Sequence, residues 1–331
     1  MEKQITDDRC PRPILYLAPI RGYTHALFRN LFQAHFEGID VAVAPFIVTM
    51  GKNPIRTKHL KDVLPENNGG ARLIPQILSN DPVGFTQMAQ ALADLGYETI
   101  NWNLGCPFPM VARKKRGSGL LPYPDRIKAI LDDVIPNIPN KLSIKTRVGR
   151  HDPGEIETLL PLFNHYPLTE VIIHPRTGVE MYTGTADPDR FAAVMGLSDH
   201  PLVYNGDIWN VAAFNALAHR FPAIDRWMIG RGVMADPFLP ADIQSGDTHS
   251  SDRLNRFIRF HDALLHALQE TLDGPAHVLD KMKGYWSFFY LSFEDGRKLF
   301  KKIRKTHRID DYTAVVHRFF EGNPVQCPVK G

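Results

Sequence analysis

Residues 101–107 read Asn-Trp-Asn-Leu-Gly-Cys-Pro and combine the residue types needed to bind and protonate a planar polar ligand. Side chains alternate along a strand, so Asn101 and Asn103 are expected to share one face of it. Gly105 permits a sharp turn, and Pro107 ends the strand because it has no N–H to donate. The pattern therefore predicts that Cys106 lies on a tight turn at the carboxyl end of a strand, beside two amide side chains.

A cysteine thiol is mostly neutral below its reference pKa of about 8.5, so Cys106 is able to donate a proton at neutral pH. The alternative is a small buried side chain that only packs in the core. The polar and Gly/Pro neighbours of Cys106 favour the functional interpretation.

The composition is that of an ordinary globular protein with room for one large domain and a smaller one, with 331 residues and a net charge of +3. The first eight residues are polar and mixed in charge, which predicts no signal peptide. The longest apolar run, Val41–Val48, is too short to span a bilayer. The three cysteines, at positions 10, 106 and 327, form no disulfide framework and no CxxC metal pair. We therefore expect a cytoplasmic protein with no membrane segment and no metal site.

Eight short apolar segments recur along the first 230 residues, and each ends in polar or Gly/Pro residues. These predicted strands are Ile14–Ala18, Val41–Phe46, Leu73–Leu78, Thr99–Asn103, Leu142–Arg147, Glu170–His174, Leu202–Asn205 and Trp227–Ile229. Segments with helical periodicity lie between them, such as the one that follows Asp81-Pro82. The alternation predicts an α/β fold with a parallel sheet, and eight strands fit a (β/α)8 TIM barrel over residues 1–245. A doubly wound open sheet is the alternative, weakened because no GxGxxG follows the first strand.

In a barrel of this kind, polar residues at the carboxyl ends of the strands build the active site. The candidates are Gln76, Asn103, Cys106, Lys145, Arg147, His174, Arg176, Asn205, Gly206, Asp207, Gly230 and Arg231. Glycines with an arginine after the seventh and eighth strands stand where barrels commonly bind phosphate. Together with the cation of Lys145, they suit a phosphate-bearing cofactor with an electron-rich ring.

The chain resembles the tRNA-dihydrouridine synthases, flavin-dependent enzymes that reduce uridines in the D-loop of tRNA. Six ordered motifs between about Leu17 and Lys305 carry the resemblance. They lie at residues 17–24, 103–107 with a continuation at 116–121, 144–149, 173–177, 204–208 and 228–232. One departure is that Arg21, Tyr23 and His25 are bulkier than the residues usual in the family.

The resemblance implies FMN as the cofactor, NADPH or NADH as the reductant, and a role for each matching residue. The flavin would be bound by Pro19, Ile20, Arg21, Gln76, Lys145 and His174, and its phosphate by Asn205, Gly206, Asp207, Gly230 and Arg231. Asn103 would hold the uracil edge, with Arg147 and Arg176 also on the substrate side. The implied reaction moves a hydride from flavin N5 to uracil C6 and a proton from Cys106 to C5, on a base extruded from the folded tRNA.

Residues 246–331 are predicted to form a small helical domain that binds tRNA. Helices are expected at Leu254–Leu272 and Gly296–Arg308, with the aromatic block Tyr285–Tyr290 between them as core and interdomain packing. From Lys281 onward, eleven Lys/Arg stand against five Asp/Glu, a local balance of +6. In a helix that continues to residue 308, one face would carry Lys301, Arg304, Lys305 and Arg308. A solvated helix surface is the alternative, and we expect a monomer.

Two other functions stay open at this point. One is an FMN-dependent barrel that reduces a free pyrimidine or enone, which would have no use for the basic tail. The other is a non-catalytic RNA-binding protein on the same scaffold, against which a yellow purified protein would count.

Overall fold

The computed structural model describes residues 12–49, 51, 55–246, 252–327 and 329. Cys10 and the polar first eight residues, from which we expect no signal peptide, lie outside the described residues. No helix in these ranges is both long enough and apolar enough to cross a membrane.

Ten parallel strands form one sheet among the described residues. They are β1 (Ile14–Leu17), β2 (Val41–Val43), β3 (Ile47–Val48), β4 (Arg72–Ile74), β5 (Gln76–Leu78), β6 (Thr99–Leu104), β7 (Lys141–Gly149), β8 (Leu168–Thr177), β9 (Leu202–Tyr204) and β10 (Arg226–Ile229). Leu17 of β1 pairs with Ile229 of β10 on one side and with Ala42 of β2 on the other. The first strand therefore joins the last, which an open sheet would not allow.

The ten strands occupy eight positions of a closed barrel. Pro45 lies between β2 and β3, and Pro75 lies between β4 and β5. Proline has no N–H to donate to a neighbouring strand, so the ladder of hydrogen bonds is interrupted at both positions. The ring is completed where β2 pairs with β4, β3 with β5, and β5 with β6. The TIM barrel is thereby confirmed. Two of the predicted strands are wrong in their extent: Val41–Phe46 ends at Val43, with a separate strand at Ile47–Val48, and Leu73–Leu78 is divided in two at Pro75.

Helices connect the strands and cover the outside of the barrel. They are α1 (Ala26–His35), α2 (Thr57–Leu60), α3 (Pro82–Asp94), α4 (Pro109–Ala112), α5 (Pro124–Val134), α6 (Glu155–Phe163), α7 (Pro188–Val194), α8 (Val211–Arg220), α9 (Arg231–Ala235) and α10 (Leu239–Ser245). In α3 the Asp81 carboxylate accepts the Gly84 N–H at 3.0 Å, and Pro82 occupies the first turn. This is the start that the sequence predicts.

The inside of the barrel is filled with side chains, including Tyr16, Val43, Ile172, Val203 and Met228. A filled barrel has no pore, so ligands bind at its ends. The polar residues that follow the strands are consequently brought together above this inner core.

Four helices form a C-terminal helical region: α11 (Arg253–Thr271), α12 (Pro275–Phe289), α13 (Gly296–Ile303) and α14 (Ile309–Glu321). The helix predicted at Leu254–Leu272 corresponds to α11 within one residue. The apolar core continues from the barrel into these helices. The division into two domains at residue 245 stays a prediction.

Aromatic rings join the helical region to the barrel. Phe260 of α11 lies against Phe28 and Phe36, with ring centroids 5.9 and 5.0 Å apart. Tyr285 of α12 stacks on Phe28 at 5.7 Å, and its hydroxyl donates to the Tyr23 carbonyl at 2.9 Å. The aromatic block thus packs between the two regions, as the sequence predicts.

The helix predicted at Gly296–Arg308 is wrong in its length, because α13 ends at Ile303. The Thr306 N–H and hydroxyl both donate to the Ile303 carbonyl, at 3.1 and 2.7 Å. A side-chain hydroxyl that bonds locally to the backbone competes with continuation of the helix.

The four basic residues predicted to share one helix face therefore lie on different elements. Lys301 is on α13, Arg304 and Lys305 follow its end, and Arg308 precedes α14. All four side chains are exposed, but they do not form a single helical stripe.

We expect Phe260→Ala to lower the free energy of unfolding by about 3–5 kcal/mol, because the lost ring leaves a cavity between α11 and the barrel. Phe260→Leu retains more of the volume and should lose less. Denaturant unfolding would show one transition, shifted in both variants. Two separate transitions, of which only one shifts, would contradict a shared core.

Candidate active site

A cavity of about 540 Å³ opens at the carboxyl ends of the barrel strands. The structure brings nine of the predicted site residues to its walls: Pro19, Ile20, Arg21, Asn103, Cys106, Lys145, Arg147, His174 and Arg231. Six others, Gln76, Arg176, Asn205, Gly206, Asp207 and Gly230, are not part of its lining and stand behind or beside it. The four basic residues of the C-terminal region are likewise outside the lining.

A chain of buried amides connects the barrel core to the backbone of Cys106. Ser143 accepts from Asn101 at 2.8 Å, Asn101 accepts from Gln76 at 2.7 Å, and Gln76 accepts from Asn103 at 2.7 Å. Oδ1 of Asn103 in turn accepts the Gly105 and Cys106 N–H groups, at 3.1 and 2.8 Å. The Asn103 oxygen is therefore occupied within the protein, and one N–H of its Nδ2 remains for a ligand.

The segment after Cys106 folds back onto it. The Ser118 hydroxyl and N–H both donate to the Cys106 carbonyl at 3.0 Å. Gly117 has φ +55°, and a Cβ there would lie 2.8 Å from the Cβ of Cys106. Only glycine suits this close, left-handed position, so the Gly-Ser-Gly sequence secures the cysteine turn.

Burial raises the pKa of the Cys106 thiol above its usual value. A hydrogen bond from the Phe108 backbone and the charges of Arg21, Arg147 and Lys145 oppose the rise without cancelling it. The thiol is therefore protonated at neutral pH, as its proposed role as a proton donor needs.

Burial lowers the pKa of two cations of the cavity, Arg147 and Lys145. Arg147 donates to the Gly105 carbonyl at 3.0 Å and to the Thr177 carbonyl at 2.8 Å, so it fastens the cysteine turn to β8. Burial, together with the charge of Arg147, lowers the pKa of Lys145 to about 7. An anionic group placed in the cavity would raise it again.

His174 is a neutral imidazole with a defined tautomer. Its Nε2 lies 2.9 Å from Nη1 of Arg176, which has only protons to donate, so Nδ1 carries the imidazole proton. Burial and the neighbouring cations lower the pKa of His174 well below its usual value. His174 is thus a hydrogen-bond donor through Nδ1 and not an acid.

One carboxylate orients two arginines beside the cavity. Asp207 accepts from Arg176 at 2.5 Å and from Arg231 at 2.6 Å. Burial favours the neutral form of Asp207, but these bonds and the Ala186 N–H hold its pKa below the usual range. The Arg231 guanidinium also lies over the rings of Trp209 and Tyr182, at 4.9 and 5.2 Å.

Several cavity residues were missed by reasoning from the sequence. They are Phe46, Phe108, Met181, Tyr182 and Phe288. Phe288 belongs to the aromatic block of α12, which the sequence assigned to packing alone. Tyr182 stands in the loop after β8, where no motif pointed to it. Aromatic residues at or shortly after predicted strand ends, such as Phe46 and Phe108, were the available signal in the sequence.

The bulky residues of the first loop, Arg21, Tyr23 and His25, face different partners. Tyr23 packs edge-on against Tyr285 and Phe288, with centroids 5.3 and 5.4 Å away. Burial and the nearby Lys281 charge lower the pKa of His25 to about 4, so it is neutral in this interface. Arg21 instead turns to the cavity, with its guanidinium 5.5 Å from the ring centroid of Phe46.

Comparison with known proteins agrees with this geometry. The family model described as dihydrouridine synthase matches residues 16–313. A probable tRNA-dihydrouridine synthase of Staphylococcus epidermidis is 31% identical over 93% of this chain and 94% of its own. The tRNA-dihydrouridine synthase B of Escherichia coli is 29% identical over 70% of this chain and 71% of its own. The solved structure of an old yellow enzyme homologue from Zymomonas mobilis, 11% identical, covers 73% of this chain and 91% of its own with a TM-score of 0.51, which shows the fold alone.

Fold and cavity together define a TIM-barrel enzyme with a cationic site at the carboxyl ends of its strands. The chain belongs to the dihydrouridine synthase family. Membership confirms the expected class, a flavin-dependent oxidoreductase that forms dihydrouridine in tRNA, with FMN as cofactor and NAD(P)H as reductant. The roles of the individual site residues stay predictions.

Because its pKa is raised, Cys106 should react slowly with iodoacetamide at pH 7 and faster only as the pH passes above the usual cysteine range. A variant with Cys10 and Cys327 replaced by serine isolates this thiol. We expect the midpoint of its rate–pH profile to lie above that of a cysteine peptide. A midpoint at or below the peptide value would contradict a neutral thiol.

Proposed function

We propose that this protein reduces the C5–C6 bond of specific uridines in the D-loop of tRNA, with Cys106 as the proton donor. Reduction of that bond needs a hydride and a proton. The observation that carries the proposal is that Cys106 shares one cavity with Lys145, Arg147, His174 and Arg231, and burial there raises the pKa of its thiol. The family assignment supports the reaction, and the cavity supports this division of roles.

The described residues fit FMN in size and in charge. The cavity of about 540 Å³ lies within the range of roughly 300–1,000 Å³ usual for such ligands. Its described lining includes Arg21, Lys145, Arg147 and Arg231 but no carboxylate. Nε of Arg176 is buried and has no partner among the described residues, so an anionic group would satisfy it.

We assign the flavin ring and ribityl chain to Pro19, Ile20, Arg21, Lys145 and His174, and the phosphate to the segments at Asn205–Asp207 and Gly230–Arg231. A carboxylate repels phosphate, so Asp207 acts by orienting Arg176 and Arg231. Gln76, whose amide is bonded to Asn101 and Asn103, acts through Asn103.

The hydride for uracil C6 would come from FMN held at this site and reduced by NADPH or NADH. Cys106 donates its Sγ proton to C5, and the charges of Arg21, Arg147 and Lys145 stabilise the resulting thiolate. Because burial keeps the thiol pKa high, the thiolate regains a proton from water before the next turnover. The free N–H of Asn103 holds a uracil oxygen beside this turn.

For the tRNA we assign contacts with its phosphates to Lys301, Arg304, Lys305 and Arg308. All four are exposed, and Nη2 of Arg308 forms a salt bridge with Oδ2 of Asp310 at 3.2 Å. On the substrate side, Arg147 and Arg176 act by fixing the cysteine turn and His174. We further propose that the protein acts as a monomer and in the cytoplasm.

We expect Cys106→Ala to slow the oxidation of pre-reduced enzyme by unmodified tRNA about a hundred- to ten-thousandfold, because uracil C5 loses its proton donor. FMN content and reduction by NADPH should be retained, and Cys327→Ala is the matched control. Single-turnover absorbance of the flavin measures each step. Near wild-type oxidation in Cys106→Ala would rule out the proton-donor role, and equal oxidation by free uridine would favour a reductase of free pyrimidines.

We expect Arg231→Ala to raise the dissociation constant for FMN roughly ten- to a hundredfold, because a charge-assisted bond to phosphate is lost. Arg220→Ala removes an exposed guanidinium at the far end of α8, away from the cavity, and is the control. Titration of the apoprotein with FMN, followed by flavin fluorescence, measures both. Unchanged affinity in Arg231→Ala would remove Arg231 from the phosphate site.

A further inference from the structure

The barrel mouth carries exposed apolar side chains, and only Phe108, Met181 and Tyr182 among them line the cavity. Six of the nine large hydrophobic residues exposed in the described part of the chain lie on two loops, residues 105–123 after β6 and residues 178–186 after β8. They are Phe108, Met110, Tyr123, Val179, Met181 and Tyr182. We call these two loops the mouth rim. Clustered exposed apolar side chains mark an interaction site.

The two loops of the mouth rim form one ordered surface. They meet where Gly178 of the second loop packs closely against Ser118 of the first, so that a Cβ on Gly178 would lie only 2.5 Å from Oγ of Ser118. The first loop is fixed from outside by Asn80, which donates to the Lys114 carbonyl at 2.9 Å and accepts from Arg116 at 3.0 Å. The exposed side chains are therefore presented by a defined backbone.

Part of that backbone is held in an unfavourable conformation. Lys115 and Met181 have φ of +50° and +51°, a region that residues with a side chain rarely adopt. In this conformation the Lys115 ammonium lies 4.4 Å from the ring centroid of Tyr123. Strained residues of this kind concentrate at functional sites.

The mouth rim is also basic. Arg113, Lys114 and Lys115 are exposed, and none of them forms a salt bridge with another described residue. The only carboxylate in the sequence of either loop is Glu180, which accepts from Arg190 at 2.9 Å. Cations without acidic partners beside exposed rings are the combination that binds single-stranded nucleic acid.

We propose that the mouth rim binds the unpaired nucleotides that flank the target uridine, with bases against Phe108 and Tyr182 and phosphates against Lys114 and Lys115. This inference rests on the proposed function. The basic run begins seven residues after Cys106 on the same loop, so it is close to any RNA strand whose uracil reaches Cys106. The barrel thus has an RNA surface of its own, separate from the basic residues of the C-terminal helices.

The test uses FMN-loaded full-length protein and a tRNA transcript that lacks dihydrouridine. The double variant Lys114→Ala/Lys115→Ala should lower the slope of log affinity against log salt by roughly 0.7–0.9 per lysine. Lys141→Ala, an exposed lysine at the opposite end of β7, should leave the slope unchanged. Phe108→Ala should weaken tRNA binding roughly tenfold through lost stacking, whereas Val83→Ala, a comparably exposed residue on α3, should not.

FMN content and melting temperature verify that each variant is folded. Wild-type affinity and slope in the mouth-rim variants, with a slope that changes only when Lys301, Arg304, Lys305 and Arg308 are replaced together, would overturn the inference. If tRNA fails to oxidise the flavin of the wild-type enzyme, the proposed function itself fails. The two failures are therefore distinguishable.

Discussion

Two backbone N–H groups at the end of β6 depend on one side-chain oxygen, Oδ1 of Asn103. Without it, the peptides of Gly105 and Cys106 would lose their partners as the strand turns away from its ladder. The oxygen is itself directed by Gln76, which is bonded in turn to Asn101. The position of the cysteine is consequently set by side chains of β5 and β6 in the barrel, and not by a mobile loop.

Hydrogen bonds within the protein also fix the charged side chains around the cavity. Arginines that would repel each other are separated by backbone carbonyls and by Asp207, which serves two of them. Because Arg176 donates to His174, that imidazole has one tautomer and stays neutral among cations. The site therefore offers donors and positive charge at fixed positions before any ligand arrives, which reduces the reorganisation needed at the moment of reaction.

The helical region completes the cavity as well as the core. Phe288 reaches the cavity from α12, and Tyr23 of the first loop fits between Phe288 and Tyr285. The bulky residues of this first loop thus have two uses. Tyr23 and His25 fill the contact with the helices, while Arg21 adds a cation beside the thiol.

The sequence by itself determined the barrel and most of the candidate site, because parallel strands bring their carboxyl ends together and the polar residues there can be recognised from local pattern. It did not determine that the strands are interrupted at Pro45 and Pro75. Whether a proline destabilises a strand depends on whether its missing N–H would have bonded to a neighbouring strand, which is distant in sequence. The sequence also could not show that Thr306 ends α13, or that Asn103 faces its own backbone. The positions of Tyr182 and Phe288 were decided only by tertiary structure, because a side chain's neighbours across the fold depend on packing between segments that no local spacing records.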